Sequence, residues 1–362
     1  GAMSDRQLPP AQAACLCLAI AVSYTCSALA GTHTQVDCGY KEAFTLQYVH
    51  EVLLAALSVL GLFCWGAPSR AEASRMLRDQ RCWALLLAPL ALGANVAFMV
   101  ALRLTSTSSA VALEQLTSIF VAGLSYLVLG ARYRLAALPL LFAAVGGAAL
   151  ATLGDAGKGA AGTAPLRGDL LTLVVALLAS IYMVLFKLVL PSLTPQEFLF
   201  FFALKGVVTI GIGWMGVLAF NALGWERTTW PRGCAVVWLP VATVVSAAFN
   251  WSLGWGTLKV SPLTARLSLL LGIPCSFLVD ILAGKPKAAA SWIGVLLVLA
   301  GVVGFEVVSA RGRAADAREL LLCGGGRGGR SSGGGGQEEE AGMAVVGSAG
   351  EEVRNQRLGE PA

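Results

Sequence analysis

Ten stretches of about twenty mostly apolar residues run through this chain, at 11–31, 43–65, 82–104, 108–129, 135–153, 169–190, 197–220, 234–256, 263–283 and 290–309. About 20 residues at about 1.5 Å rise each cross the hydrocarbon of a bilayer. Lipid offers no hydrogen-bond partner to a bare amide, so each such stretch must be helical. The connections after the third and eighth spans are only a few residues long, which leaves some boundaries soft. The fold class that follows is an all-α membrane protein with ten transmembrane helices.

The spans repeat. LTSTSSAVALEQLTSIFVAGLSYLVLG, from Leu104, is matched by LKVSPLTARLSLLLGIPCSFLVDILAG, from Leu258; each is followed by a short basic turn and a second apolar span. Gly130 and Gly284 differ by 284 minus 130, or 154 residues, and Gly147 and Gly301 by the same amount. That offset lays spans four and five on spans nine and ten. Five spans per half is an odd number, so the two halves are expected to be inverted with respect to each other, as in many secondary transporters. The expected organisation is a segment 1–10, a first five-helix repeat 11–153, a linker 154–168, a second repeat 169–309 and a Gly-rich tail 310–362. The tail carries too little apolar surface to fold and reads as a flexible cytosolic segment.

Composition agrees with this architecture and narrows the function. Charged residues are 13% of the chain, about half the share of a soluble domain, and mean hydropathy is +0.72. The net charge of +5 sits between spans and in the tail, so it reads as a topology signal rather than a nucleic-acid patch. Arg70, Arg75, Arg78 and Arg81 follow span two, Arg132 and Arg134 follow span four, and Arg311, Arg313 and Arg318 follow span ten. All share one side if both termini are cytosolic, which is the expected orientation. The opposing loops also hold Lys158, Arg167, Arg227, Arg232, Lys285 and Lys287. Nine cysteines without a C-x-x-C pair, beside two histidines, leave no zinc pattern. No metal, cofactor, G-x-S-x-G elbow, Walker loop or H-E-x-x-H helix is expected, so neither an enzyme nor an ATP-driven pump is. The chain opens on Gly-Ala-Met, read as a cloning remnant or a truncated start, and no cleaved signal peptide is expected. Cys38 and Cys234 fall on the expected non-cytosolic face, where a disulfide is open to them.

Ionisable and polar residues inside spans are costly and point to a cavity or a partner. Glu114, with Gln115, Thr117 and Ser118, lies about two turns into span four. It reads either as a cation or proton site or as a carboxylate neutralised in place. Arg266 holds nearly the matching position in span nine, and reads as a partner for Glu114, a site for an anion, or a side chain snorkelling to the cytosolic face. Inversion carries matching positions to opposite faces, so the two are expected not to form a salt bridge and to line separate vestibules. Lys205 is deep in span seven; Lys187 is near the cytosolic end of span six and within snorkelling reach. Asn250 and Trp255 in span eight and Tyr182 in span six complete the candidate substrate-binding set. Asp280, near the outer end of span nine, is within reach of water or Lys285, and Glu306, near the cytosolic end of span ten, reads as structural or interfacial.

Several stretches resemble a known family. ALRLTSTSSAVALEQLTSIFVAGLSYLVLGAR (Ala101–Arg132), Gly168-Asp169-Leu170, Ala179-Ser180-Ile181-Tyr182, Phe186-Lys187, Asn250 and PLTARLSLLLGIPCSFLVD (Pro262–Asp280) are similar to patterns of the drug/metabolite transporter superfamily. Within it they resemble the nucleotide-sugar-transporter-like solute carriers of family 35, subfamily F. The resemblance implies a ten-helix carrier working by alternating access, with helices five and ten outside the cavity. It also implies thiamine as a candidate solute, since some relatives are regarded as thiamine carriers. This chain departs from those relatives at Thr117-Ser118, where they tend to carry Asn-Lys.

The expected function is secondary transport of a small polar organic solute, thiamine or a related organic cation first. The alternatives are a nucleotide-sugar antiporter, for which Lys187, Lys205 and Arg266 would meet phosphate, and a non-transporting scaffold or receptor. Expected partners are the small-molecule substrate and membrane lipid, not nucleic acid, with a homodimer left open. The expected location is a secretory-pathway or plasma membrane.

Overall fold

The computed structural model describes residues 9–40, 42–131, 133–154, 164–226, 228–282, 284 and 288–325. Among them there is no strand, and ten segments are long and apolar enough to cross a membrane. Twelve α-helices make these ten spans: α1 (Pro10–Thr32), α2 (Ala43–Trp65), α3 (Arg70–Leu104), α4 (Thr107–Glu114), α5 (Thr117–Leu129), α6 (Leu138–Gly154), α7 (Pro165–Val189), α8 (Pro195–Ala222), α9 (Ala235–Lys259), α10 (Pro262–Leu270), α11 (Gly272–Leu282) and α12 (Ala289–Gly325). Residues up to Arg313 form one compact unit, and a second begins at Ala314.

Four features differ from the sequence reading. Helix α3 starts at Arg70, twelve residues before the expected boundary, so Arg75, Arg78 and Arg81 sit on helix rather than in a loop. Its start is set by a capping box in which Ser69 and Glu72 satisfy each other's backbone amides. Helix α12 runs on to Gly325, past the expected boundary near 310. Spans four and nine are each broken, at Gln115–Leu116 and at Leu271. Arg132, Lys158, Arg227, Lys285 and Lys287, and the tail beyond 325, lie outside the described residues.

The breaks have local causes. At the first, the amides of Gln115, Leu116, Ser118 and Ile119 bond back to carbonyls three residues earlier, a 3₁₀-like tightening. The carbonyl of Glu114 thereby loses its usual amide partner, and the Thr117 hydroxyl donates to it at 2.6 Å. At the second, Leu271 N–H bonds to Ser268 at 3.2 Å. Pro274, three residues on, has no N–H to offer Leu270.

The helices pack through small residues. Along the antiparallel α2–α8 seam, Phe44 lies over Gly216, Tyr48 over Gly213 and Ala55 over Gly206. A Cβ added to Gly206 would stand 2.0 Å from that of Ala55. Spans five and ten meet in the same way, since a Cβ on Gly147 would lie 2.7 Å from the Gly294 carbonyl oxygen. Such close backbone approach is the usual means of joining helices in lipid, where apolar burial gives little drive. Gly130 (φ 65°) and Gly284 (φ 73°) both end their spans in the left-handed region that glycine tolerates. Apolar side chains such as Leu127, Phe63 and Trp214 face outward, more than half exposed.

Candidate functional site

A cavity of about 280 Å³ lies inside the bundle, bounded by residues of α1–α4 and α7–α10. Among the described residues, none of α6 or α12 lines it, so spans five and ten stand outside, as the resemblance implies. Two ion pairs cross it, and each joins one residue of the first half to one of the second.

The deeper pair is Glu51 on α2 with Lys205 on α8. Lys205 Nζ is 3.1 Å from Glu51 Oε2 and 3.3 Å from Oε1. The two side chains are 4% and 3% exposed. Glu51 lies eight residues into α2 and Lys205 ten into α8, about 12 and 15 Å from their helix starts, which is mid-depth in a hydrocarbon layer about 30 Å thick. The ammonium also sits 5.8 Å from the Tyr182 ring centre and 5.5 Å from that of Phe202, where aromatic faces stabilise a cation. Glu51 is absent from the sequence-based set. The signal for it was present: Glu51 and Lys205 are 154 residues apart, the repeat offset itself.

The second pair overturns an expectation. Arg266 Nη2 donates to Glu114 Oε1 at 2.6 Å and to the Glu114 carbonyl at 3.3 Å. The two residues share one cavity instead of lining separate vestibules. The physical reason is position: Glu114 ends α4 and Arg266 lies in α10, both near the breaks in their spans rather than at a span end. Glu114 is the last residue of α4, so Arg266 also serves a carbonyl freed by the break. The Glu114 side chain is 20% exposed and that of Arg266 9%.

Of the other predicted residues, Tyr182 and Asn250 line this cavity. Asn250 Nδ2 donates to the Ser246 carbonyl at 2.8 Å. Gln115, Thr117, Ser118, Lys187 and Trp255 do not line it. Gln115 borders a second cavity of about 400 Å³ with Tyr24, Gly272 and Ser276. Thr117 and Ser118 are fully buried, and Ser180 Oγ donates to the Thr117 carbonyl at 3.1 Å. Lys187 Nζ donates to the Leu258 carbonyl near the end of α9, where a cation suits the helix dipole. Trp255 packs edge-on against Phe198 and lies under Lys259, whose Nζ is 4.8 Å from the indole.

The sequence pattern of the SLC35F family (Solute carrier family 35) matches residues 12–245, more than half the chain. The chain belongs to that family. Two curated relatives are similar to this solute carrier. An uncharacterized transporter, C405.03c, of Schizosaccharomyces pombe is 26% identical over 56% of this chain and 61% of its own. Solute carrier family 35 member F5 of Bos taurus is 28% identical over 45% of this chain and 31% of its own. The match thus spans less than two thirds of either relative. A solved crystal structure is similar in fold, with a TM-score of 0.64 at 20% identity, over 84% of this chain and 99% of its own. Membership and ten apolar spans make the protein a multi-pass integral membrane protein.

One end of this solute carrier is tied together by covalent and polar contacts. Cys38, just past α1, and Cys234, just before α9, form a disulfide with Cα atoms 5.5 Å apart. The Glu226 carboxylate accepts from the amides of Phe44 and Thr45 at 3.0 and 3.3 Å, capping α2 from a distant loop. Thr229 Oγ1 donates to Glu42 Oε1 at 2.8 Å. Burial, and then the carboxylates of Glu42 and Glu226, push the Tyr40 phenol up from its ordinary value.

Proposed function

We propose that the protein is a secondary transporter that carries a small polar organic solute by alternating access between two inverted halves. The observation that supports this most is the pair of buried ion bridges across one mid-depth cavity, each made by one residue from either half. Such bridges can open and re-form as the halves rock about a site near the midplane. Matching contacts support the inversion: α3 packs on α7 as α9 packs on α1, and α2 crosses α8 where their residues are 154 apart.

Between the two finer readings, the cavity volume favours the smaller solute. About 280 Å³ is just below the roughly 300–1,000 Å³ range of ligand pockets, which suits a molecule the size of thiamine better than a nucleotide-sugar. The Arg266 bridge occupies Glu114, however, so a lone organic cation has no free counter-ion there. The disulfide supports an oxidising compartment at the end opposite the arginines of α3, and hence the arginine-rich end in the cytosol.

The test is uptake into proteoliposomes holding the full chain, with thiamine, nucleotide-sugars and small amino compounds as solutes. Saturable, protein-dependent uptake of a small solute and none of nucleotide-sugars is expected. Uptake of nucleotide-sugars alone would reverse the size argument. Binding without flux of any solute would leave the scaffold or receptor reading in its place.

A further inference from the structure

We infer that the Glu114–Arg266 bridge is the part of the cavity that a solute opens, and that it selects a zwitterion: a small organic molecule carrying one cationic and one anionic group. This deepens the transport reading and rests on it for the identity of the site.

The two bridges differ in access. Both side chains of the Glu51–Lys205 bridge are 4% exposed or less, whereas the Glu114 side chain is 20% exposed. The Glu114–Arg266 bridge is also incompletely made. Glu114 meets the guanidinium through one carboxylate oxygen and its main-chain carbonyl, both on Nη2. The neighbouring Nε–H is buried and has no hydrogen-bond partner among the described residues, although Arg266 as a whole is only 7% exposed. The Nε–Nη2 edge of an arginine is shaped for two oxygens of a carboxylate or phosphate. In its present state it holds one carboxylate oxygen, and its Nε–H holds none.

Charge balance sets the class. Among the described residues, the charged side chains lining the cavity are Glu51, Lys205, Glu114 and Arg266, which sum to zero. A lone cation that draws Glu114 away leaves Arg266 buried and unpaired. A lone anion that takes Arg266 leaves Glu114 in the same position. Breaking a buried pair by removing one partner is strongly unfavourable, because the other charge stays desolvated. A zwitterion replaces both partners at once: its cation meets Glu114, and its anion fills the Arg266 edge. Tyr24 and Phe249, with ring centres 5.4 Å apart, give the same cavity an aromatic wall for the apolar part of the solute.

The test uses matched probes on the purified full chain at pH 7, followed by melting temperature. One set is phenylalanine, phenethylamine and 3-phenylpropionate; the other is tryptophan, tryptamine and indole-3-propionate. At least one zwitterion is expected to raise the melting temperature, with a half-saturating concentration at least about tenfold below those of its amine and its acid, a difference of about 1.4 kcal/mol. Arg266→Gln is expected to shift the preference to the lone amine, and Glu114→Gln to the lone acid. If a single variant shows no melting transition, Glu114→Gln combined with Arg266→Gln leaves no unpaired charge and must lose the preference for the zwitterion. Equal response of the natural protein to amine or acid, response to none of the six probes, or an unchanged order in the variants overturns the inference. Vesicle uptake separates it from the transport reading. A zwitterion bound but not carried ends transport alone, while saturable uptake of thiamine as a lone cation ends the charge selection alone.

Discussion

Replacing Lys205 by methionine removes the ammonium but keeps most of the side-chain volume. Glu51 then stays 4% exposed, with its nearest cation gone. Stripping one partner from a buried pair costs about 3–5 kcal/mol. At about 2 °C per kcal/mol for a large domain, the melting temperature should fall by about 6–10 °C. Glu51→Gln should cost a comparable amount. The double variant Glu51→Gln/Lys205→Met should recover to within about 2 kcal/mol of the natural protein, because a buried pair replaced whole is often nearly neutral. The coupling from the resulting cycle is then at least about 4 kcal/mol in magnitude. Thermal unfolding of the purified chain in detergent, followed through its nine tryptophans, measures all four states. Arg75→Gln is the control: its contact with Glu197 is 3.7 Å long and its side chain is 61% exposed, so it should change stability by no more than about 0.5 kcal/mol. Losses below about 1 kcal/mol for both single variants, or a strictly additive double variant, would refute the claim that the bridge is a coupled, desolvated unit.

Two further outcomes follow from packing and covalent structure. Gly206→Ala should destabilise by about 1–3 kcal/mol, since its Cβ would stand 2.0 Å from that of Ala55 and neither helix can yield locally; Gly211→Ala, with nothing within 4 Å, should be neutral or gain up to about 1 kcal/mol. Alkylation of the denatured protein followed by mass spectrometry should label Cys38 and Cys234 only after reduction. Reduction should lower the melting temperature, by no more than the effect of about 5 kcal/mol that closing a loop of 196 residues allows.

Much of the bundle was legible from local chemistry. Lipid admits only self-satisfied backbone, so each apolar run of about twenty residues had to be helix, and all ten runs are spans. Where the reading slipped, the cause was usually a start or a break whose signal is small. The capping pair Ser69 and Glu72 moved the start of α3 to Arg70. Pro274 marks the break at Leu271, but nothing as plain marks the one at Gln115, which rests on a run of shortened backbone bonds.

The candidate site divides along the same line. The cost of burying charge picked out Glu114, Lys205 and Arg266 from the sequence, and all three line the cavity. Their partners were another matter. Glu51 stands one repeat offset from Lys205, but spacing alone does not show that two residues face each other, and Glu114 and Arg266 share one cavity rather than separate vestibules. Sequence by itself determined which segments enter the membrane and which residues are too costly to leave bare there, because both follow from transfer free energies of single residues. Only the tertiary structure decided that the four charges pair off across the two halves and that Lys187 and Trp255 stay out of the cavity. It also brought Cys38 within reach of Cys234. Pairing depends on where each position sits relative to the crossing of two helices, and that distance is a property of the packed bundle rather than of any one span.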